Sequence, residues 1–295
     1  MTEDEKPSGA PVGASLLVVG AAIAQEVGAA FAVGLFSALG AGGAAFTRFA
    51  VAGAVLCTVV RPRLRGLTRE AWLAAIALAA SLATMNLCFY YAISRIPLGI
   101  AVTIEVLGPL TLSVVMSRRP TAWLWALLAF GGIAVLGLTP KQMGHLDVVG
   151  VAFAVVAAVS WASYIVATSR AVRVFPRLDA LAIATVMGAI LMVPFAAFGI
   201  DPGAAMHWHV AALAVAVGLL SSVIPYSLEL WSLRTLAPAT FAVLTCLSPV
   251  VAVLAGWAVL GQRLTVLDCL AILLVTLASI GAVRSARTPD RLGPP

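Results

Sequence analysis

Charged side chains are scarce in this sequence. Asp, Glu, Lys and Arg together make up 10% of 295 residues, against 62% hydrophobic ones. A soluble domain draws about a quarter of its residues from those four types, so the polar surface a soluble fold of this length needs is missing. Cysteine is equally sparse. Cys57, Cys88, Cys246 and Cys269 are widely separated and lie in apolar runs, which excludes a disulfide framework or a thiolate metal site and leaves them as small packing residues. His207 and His209 in MHWHV would point about 200° apart on a helix, and no third ligand stands near them, so an outer loop is expected rather than a metal centre. No GxxxxGK[ST] phosphate loop occurs, which removes ATP as an energy source. No cofactor is expected.

Long apolar runs are what the chain does have. A membrane-spanning helix needs about 20 mainly apolar residues. Ten windows qualify: 14–38, 44–60, 71–93, 98–116, 121–138, 148–168, 179–199, 209–230, 238–260 and 265–283. The gaps between them leave no room for a soluble domain. The expected fold class is an all-α integral membrane protein of ten transmembrane helices. The start, MTEDEKPSGAP, is acidic where a secretory signal would be basic, so the first span is expected to remain in the mature chain.

The basic residues give an orientation. With the N-terminus inside, cytoplasmic segments collect Lys6, Arg61, Arg63, Arg65, Arg69, Arg118, Arg119, Arg170, Arg173, Arg177, Arg234, Arg284, Arg287 and Arg291. The outer loops keep Arg95, Lys141 and Arg263, while Arg48 falls near the start of the second window. Such a bias places both termini in the cytoplasm. It also accounts for the net charge of +6 without nucleic acid.

Two segments share a plan. SRIPLGIAVTIEVLGPL and LRTLAPATFAVLTCLSPV each carry an Arg, a Pro at the start of the helix, and an internal Gly-Pro or Ser-Pro. Pro109 and Pro249 are separated by close to half the chain. If each half holds five spans, the odd number makes the halves face opposite ways, as in transporters built from inverted repeats. The expected organisation is a tail over 1–13, a first repeat over 14–138, a second over 148–283 and a tail over 284–295.

Glu105 poses the sharpest chemical question, because it is the lone carboxylate in PLGIAVTIEVLGPL. An intramembrane carboxylate is costly unless hydrated, paired or neutral. Pro109 has no N–H to return to the carbonyl four residues earlier, which is that of Glu105 itself. Carboxylate and freed carbonyl thus gather at one level, a pairing suited to an ammonium group or a proton. Gly108 beside Pro109 eases a helix interruption. Pro249, next to Ser248, similarly frees Thr245, and Pro225 frees Ser221. These prolines either shape helices or expose carbonyls at a site.

At these residues the sequence resembles a known family. PLGIAVTIEVLGPL followed by SRRP, together with IPYSLE and SWASYI, is similar to the EamA-type drug/metabolite transporter superfamily, and most like its threonine/homoserine exporters. The similarity covers nearly all of 14–283. It implies two inverted five-helix repeats around a central cavity, export of small amino acids, and a bacterial inner-membrane location. Gln25, Arg48, Asn86, Glu105, Trp161 and Glu229 stand at matching positions. Glu26 departs from the pattern, where a small residue is usual, and Val33 replaces a polar one.

Further candidates follow from spacing. Ser222, Tyr226 and Glu229 form one polar stripe, although Glu229 could instead reach interfacial water or Arg234. Gln25 and Glu26 are neighbours about 100° apart that could both border a wide cavity, and Glu26 needs a partner if charged. Asn86 and Tyr90 sit one turn apart, as do Trp161, Tyr164 and Thr168, the aromatic set being open to a packing role. Arg48 could receive a substrate carboxylate or snorkel towards the outer interface. The expected function is secondary export of a small neutral amino acid such as threonine or homoserine. Glu105 would bind the ammonium group or exchange a proton, with Asn86, Tyr90 or Arg48 at the carboxylate. Broad efflux of drugs or aromatic metabolites is the alternative. An intramembrane enzyme is a remote one, since the spans hold no His or Asp pair beside Ser160, Thr103 and Glu105. A small-molecule substrate and membrane lipid are the expected partners, with a homodimer left open.

Overall fold

The computed structural model describes residues 10–117, 123–125, 127–132, 147–175, 178–197, 199–233 and 244–285, and regular structure among them is helical throughout. The first half contains α1 (Ala10–Val33), α2 (Phe36–Val60), α3 (Arg69–Ile93), α4 (Leu98–Glu105) and α5 (Leu107–Ser117). The second contains α6 (Val148–Val174), α7 (Asp179–Ala197), α8 (Trp208–Gly218), a π-helical turn (Leu219–Val223), α9 (Ile224–Leu233), α10 (Ser248–Leu260) and α11 (Val266–Ser285). Among the described residues, six continuous helical stretches are long and apolar enough to cross a membrane, and further apolar helices are shorter. This is a multi-pass membrane protein.

Helix boundaries follow local chemistry. The Thr68 hydroxyl accepts from the Ala71 amide at 3.2 Å and starts α3. Asp147 starts α6, accepting from Val149 at 2.8 Å and Gly150 at 3.2 Å. Asp147 also pairs with Arg95 at 2.9 Å, which ties the end of α3 to the start of α6. This pairing and the Gly150 amide hold the Asp147 carboxyl below the usual carboxylate range.

The first two spans depart from the sequence reading. The 14–38 window runs past the end of α1 at Val33, and the second helix begins at Phe36, not at 44. No polar residue marks the turn; Gly34 and Leu35 make it by bonding back to the carbonyls of Phe31 and Ala32, both at 3.0 Å. Within α2, Gly40 has φ 64° and ψ 170°, a kink that frees the Ala38 carbonyl to accept from the Asp201 amide at 2.9 Å. The consequence is large for Arg48. It lies midway along α2 and is 3% exposed, so the reading of it as a residue near the outer end, free to snorkel, is incorrect. Both histidines of the MHWHV segment are exposed, as expected, but α8 already begins at Trp208, and the His207 ring stacks on that of His209 at 5.3 Å.

Helix neighbours come in exchange pairs across the two halves. α1 packs on α8 and α9 as α6 packs on α3; α1 meets α10 as α6 meets α4 and α5; α2 touches α8 as α7 touches α3. α2 also packs on α7 and on the π turn, α4 on α10, and α11 on both α4 and α5. The core is alanine-rich, with Ala30, Ala32, Ala44, Ala45, Ala52, Ala75, Ala92 and Ala101 fully or almost fully buried. Lipid is as apolar as leucine, so small residues that bring backbones together supply packing contacts that greasy side chains alone cannot.

Candidate substrate site

Three helix interruptions occur at the expected prolines, and the first two border the site. α4 stops at Glu105, Val106 forms a turn, and α5 resumes at Leu107, so the expected 98–116 span is broken three residues before Pro109. α5 is held against α6 at Gly108, where a Cβ would collide with the Ala158 carbonyl. The second interruption is the π turn before Pro225, with the Ile224 amide bonded to the Leu219 carbonyl. The third precedes Ser248 and Pro249, which open α10 after a turn at Cys246 and Leu247.

Arg48 joins α2 to the second of these. Its Nε donates to Ser222 Oγ at 2.8 Å, and its Nη2 donates to the Ser221 carbonyl. Pro225 lacks the N–H that an α-helix would return to that carbonyl, so the guanidinium takes up an acceptor the proline leaves over. On its other side the guanidinium lies over the Tyr90 ring, 5.7 Å from the centroid. Gly28 lets α1 approach the same turn, since a Cβ there would collide with Ser221 Oγ.

Around this junction is a small cavity of about 60 Å³. α1 contributes Gln25, Glu26 and Ala29; α2 contributes Arg48; α3 contributes Met85, Asn86 and Phe89. Glu105 comes from the end of α4, Trp161 and Tyr164 from α6, and Tyr226 and Glu229 from α9. Of the side chains singled out in sequence, Gln25, Glu26, Arg48, Asn86, Glu105, Trp161, Tyr164, Tyr226 and Glu229 line this one space, whereas Tyr90, Thr168 and Ser222 do not. Tyr90 is buried beneath Arg48. Asn86 Nδ2 donates to the Leu82 carbonyl at 2.8 Å, fixing the amide on its helix. Glu229 borders the cavity, and the alternative partner Arg234 lies outside the described residues. Met85, Phe89 and Ala29 were not anticipated. Phe89 stands three residues after Asn86 on the same face of α3, so extending that face would have found it, whereas Met85 is the chain neighbour of Asn86 about 100° away.

The carboxylates are not paired by contact. Glu26 is 2% exposed, and its Oε2 has no hydrogen-bond partner among the described residues. Glu105 is 8% exposed. Among the described residues, the ion pair within 4 Å is that of Arg95 and Asp147, and none involves Arg48. The cavity therefore gathers acceptors for a cation on one side and a partly engaged guanidinium on another. That combination can hold both ends of a zwitterion.

Known proteins share this chain over nearly its whole length. It is 34% identical over 284 residues to the threonine/homoserine exporter RhtA of Salmonella typhimurium (strain LT2), covering 96% of this chain and 95% of that one. The threonine/homoserine exporter RhtA of Escherichia coli (strain K12) is also 34% identical, over 278 residues, covering 94% and 92%. The chain belongs to the EamA-like transporter family. The family pattern itself matches residues 148–284. A solved crystal structure superposes with a TM-score of 0.64 at 20% identity, covering 93% of this chain and 98% of its own, which bears on the fold alone. As a member of a transporter family, this protein moves a small molecule and is not an enzyme.

Proposed function

We propose that this EamA-like transporter is a secondary active exporter of small amino acids, with threonine and homoserine as the first candidates. The observation that carries this reading is the cavity itself. Glu105 ends α4 at an interrupted helix, facing a space that also holds Arg48 and Asn86. Glu105 takes the substrate ammonium group or exchanges a proton. The carboxylate falls to Asn86 and to the N–H donors of Arg48 that Ser221 and Ser222 do not use; a guanidinium has five. Tyr90 contacts substrate only through Arg48, since it lies behind it. The other cavity residues, Gln25, Glu26, Trp161, Tyr164, Tyr226 and Glu229, complete the wall.

In this reading the chain has ten spans in two inverted repeats, with both termini cytoplasmic in a bacterial inner membrane. The exchange pairs of helix contacts support the repeat, because inverting one half onto the other maps each pair onto its counterpart. Rocking of the halves about α2, α7, α4 and α10 would open the cavity to each side in turn. Aromatic efflux is the second reading, favoured by the wall of Phe89, Trp161 and Tyr164.

Counterflow in proteoliposomes with labelled amino acids decides between them. Exchange of threonine or homoserine, with matching tolerance in overexpressing cells, is the expected result. Resistance confined to dyes and aromatic compounds, without amino-acid exchange, would replace this function with the second reading.

A further inference from the structure

The cavity holds more carboxylate than a neutral amino acid can match. Glu26 from α1, Glu105 from α4 and Glu229 from α9 face one basic side chain lining the same space, Arg48 from α2. The other polar groups on the wall, Gln25, Asn86, Tyr164 and Tyr226, are uncharged amides and phenols. Arg48 is turned towards Ser221 and Ser222. A zwitterionic neutral amino acid brings one ammonium group and one carboxylate, so it leaves that imbalance unchanged. If its ammonium group meets Glu105, Glu26 stays buried without a counter-ion, the costliest state for a carboxylate. Glu229 differs, being half-buried and four residues before the end of α9. Glu26 is almost wholly enclosed, and its free oxygen has no protein partner among the described residues.

We propose that Glu26 is a second ammonium-binding position, which makes the site selective for small amino acids or amines carrying two ammonium groups. This rests on the cavity being the amino-acid site of the proposed exporter. Glu105 holds one ammonium group, Glu26 holds the one at the end of the side chain, and Arg48 with Asn86 holds the carboxylate where there is one. Threonine remains a substrate, but a weaker one, because its side chain offers Glu26 only a hydroxyl.

The test is counterflow in proteoliposomes of the full chain at equal pH on both sides, with labelled ornithine, lysine and threonine. Ornithine or lysine is expected to half-saturate exchange at a concentration at least about tenfold below threonine. Glu26→Gln, which keeps shape and removes the charge, is expected to abolish that advantage. Wild-type exchange in which threonine is equal or better refutes the inference while leaving the exporter reading intact; a proton on Glu26 would then be the counter-ion. A preference for ornithine that survives in Glu26→Gln also refutes the assignment to Glu26. Should that variant fail to accumulate, Glu26→Asp serves: withdrawing the carboxylate by one methylene should favour lysine over ornithine, and an unchanged ratio refutes it. No exchange of any amino acid removes the exporter reading and this inference together.

Discussion

Replacing Arg48 with lysine separates its charge from its geometry. Lysine keeps the positive charge, but as a point donor on a flexible stem; the guanidinium is a planar fork that reaches two acceptors at once. In the structure those acceptors are the Ser221 carbonyl and Ser222 Oγ, both buried. A lysine can satisfy one and leave the other without a partner, costing about 1–3 kcal/mol for a desolvated acceptor. Loss of the planar contact over Tyr90 adds roughly 0.5–1 kcal/mol. Arg48→Lys is therefore expected to destabilise the protein by about 1.5–4 kcal/mol, read as a fall of several degrees in the detergent melting temperature. Pairing it with Ser222→Ala tests the mechanism: if both changes act on the same bond, their effects are less than additive. A lysine variant that melts with wild type would refute the view that α2 is clamped to the π turn by this side chain.

Other expectations are more local. Glu105→Gln keeps size and hydrogen bonding but removes the charge; the protein should accumulate normally while net export falls at least about tenfold, or roughly 1.4 kcal/mol. Wild-type transport at equal protein level would remove Glu105 from the mechanism. Gly108→Ala must push α5 off the Ala158 carbonyl and is expected to cost about 1–3 kcal/mol, whereas Gly131→Ala, with nothing within 4 Å of the added carbon, should be neutral or slightly stabilising. Equal melting temperatures for the two would contradict the close packing at Gly108. Asp147 has a depressed carboxyl value, so its contribution is full above about pH 4 and is lost as pH falls through the folded-state value. The melting-temperature gap between wild type and Asp147→Asn should be flat from neutral pH to mild acid and shrink only in strong acid; a gap that varies near neutrality would be inconsistent with this. Reporters fused after Arg65 and Arg173 should read cytoplasm and those near Gly34 and Pro202 the outside, and reversed signals would overturn the orientation.

Composition and apolar run length were enough to read a multi-pass helical protein, because a bilayer asks only for length and apolarity. Boundaries were harder where nothing polar marks them. Between Val33 and Phe36 the chain turns with small and apolar residues alone, so a hydropathy window slides through the turn and displaces the start of α2. That displacement put Arg48 near an interface, when it stands at the centre of its helix. Asp147 and Thr68 show the opposite case: each caps a helix with its own side chain, and both helices begin within a few residues of the expected position.

Why the cavity residues were largely legible, when one boundary was not, has a physical reason. In a sequence this poor in polar groups, each buried carboxylate, amide or guanidinium is expensive, and the fold lowers the total by gathering them where they share water, substrate or one another. Polarity inside a span therefore points to a common place even when the spans are misdrawn. What spacing along a single helix cannot reveal is the partner on another. Pro225 was visible as a residue that frees the Ser221 carbonyl, and Arg48 as a cation in need of an acceptor. Only the packing of α2 against the π turn shows that each answers the other. The same logic separates Glu26 from its neighbours. The fold supplies Ser221 and Ser222 to Arg48 and the Leu82 carbonyl to Asn86, yet supplies no hydrogen-bond partner to Glu26 Oε2 among the described residues. For a carboxylate, unlike a hydroxyl, burial without a partner is costly enough to call for a proton or a cation from outside the protein.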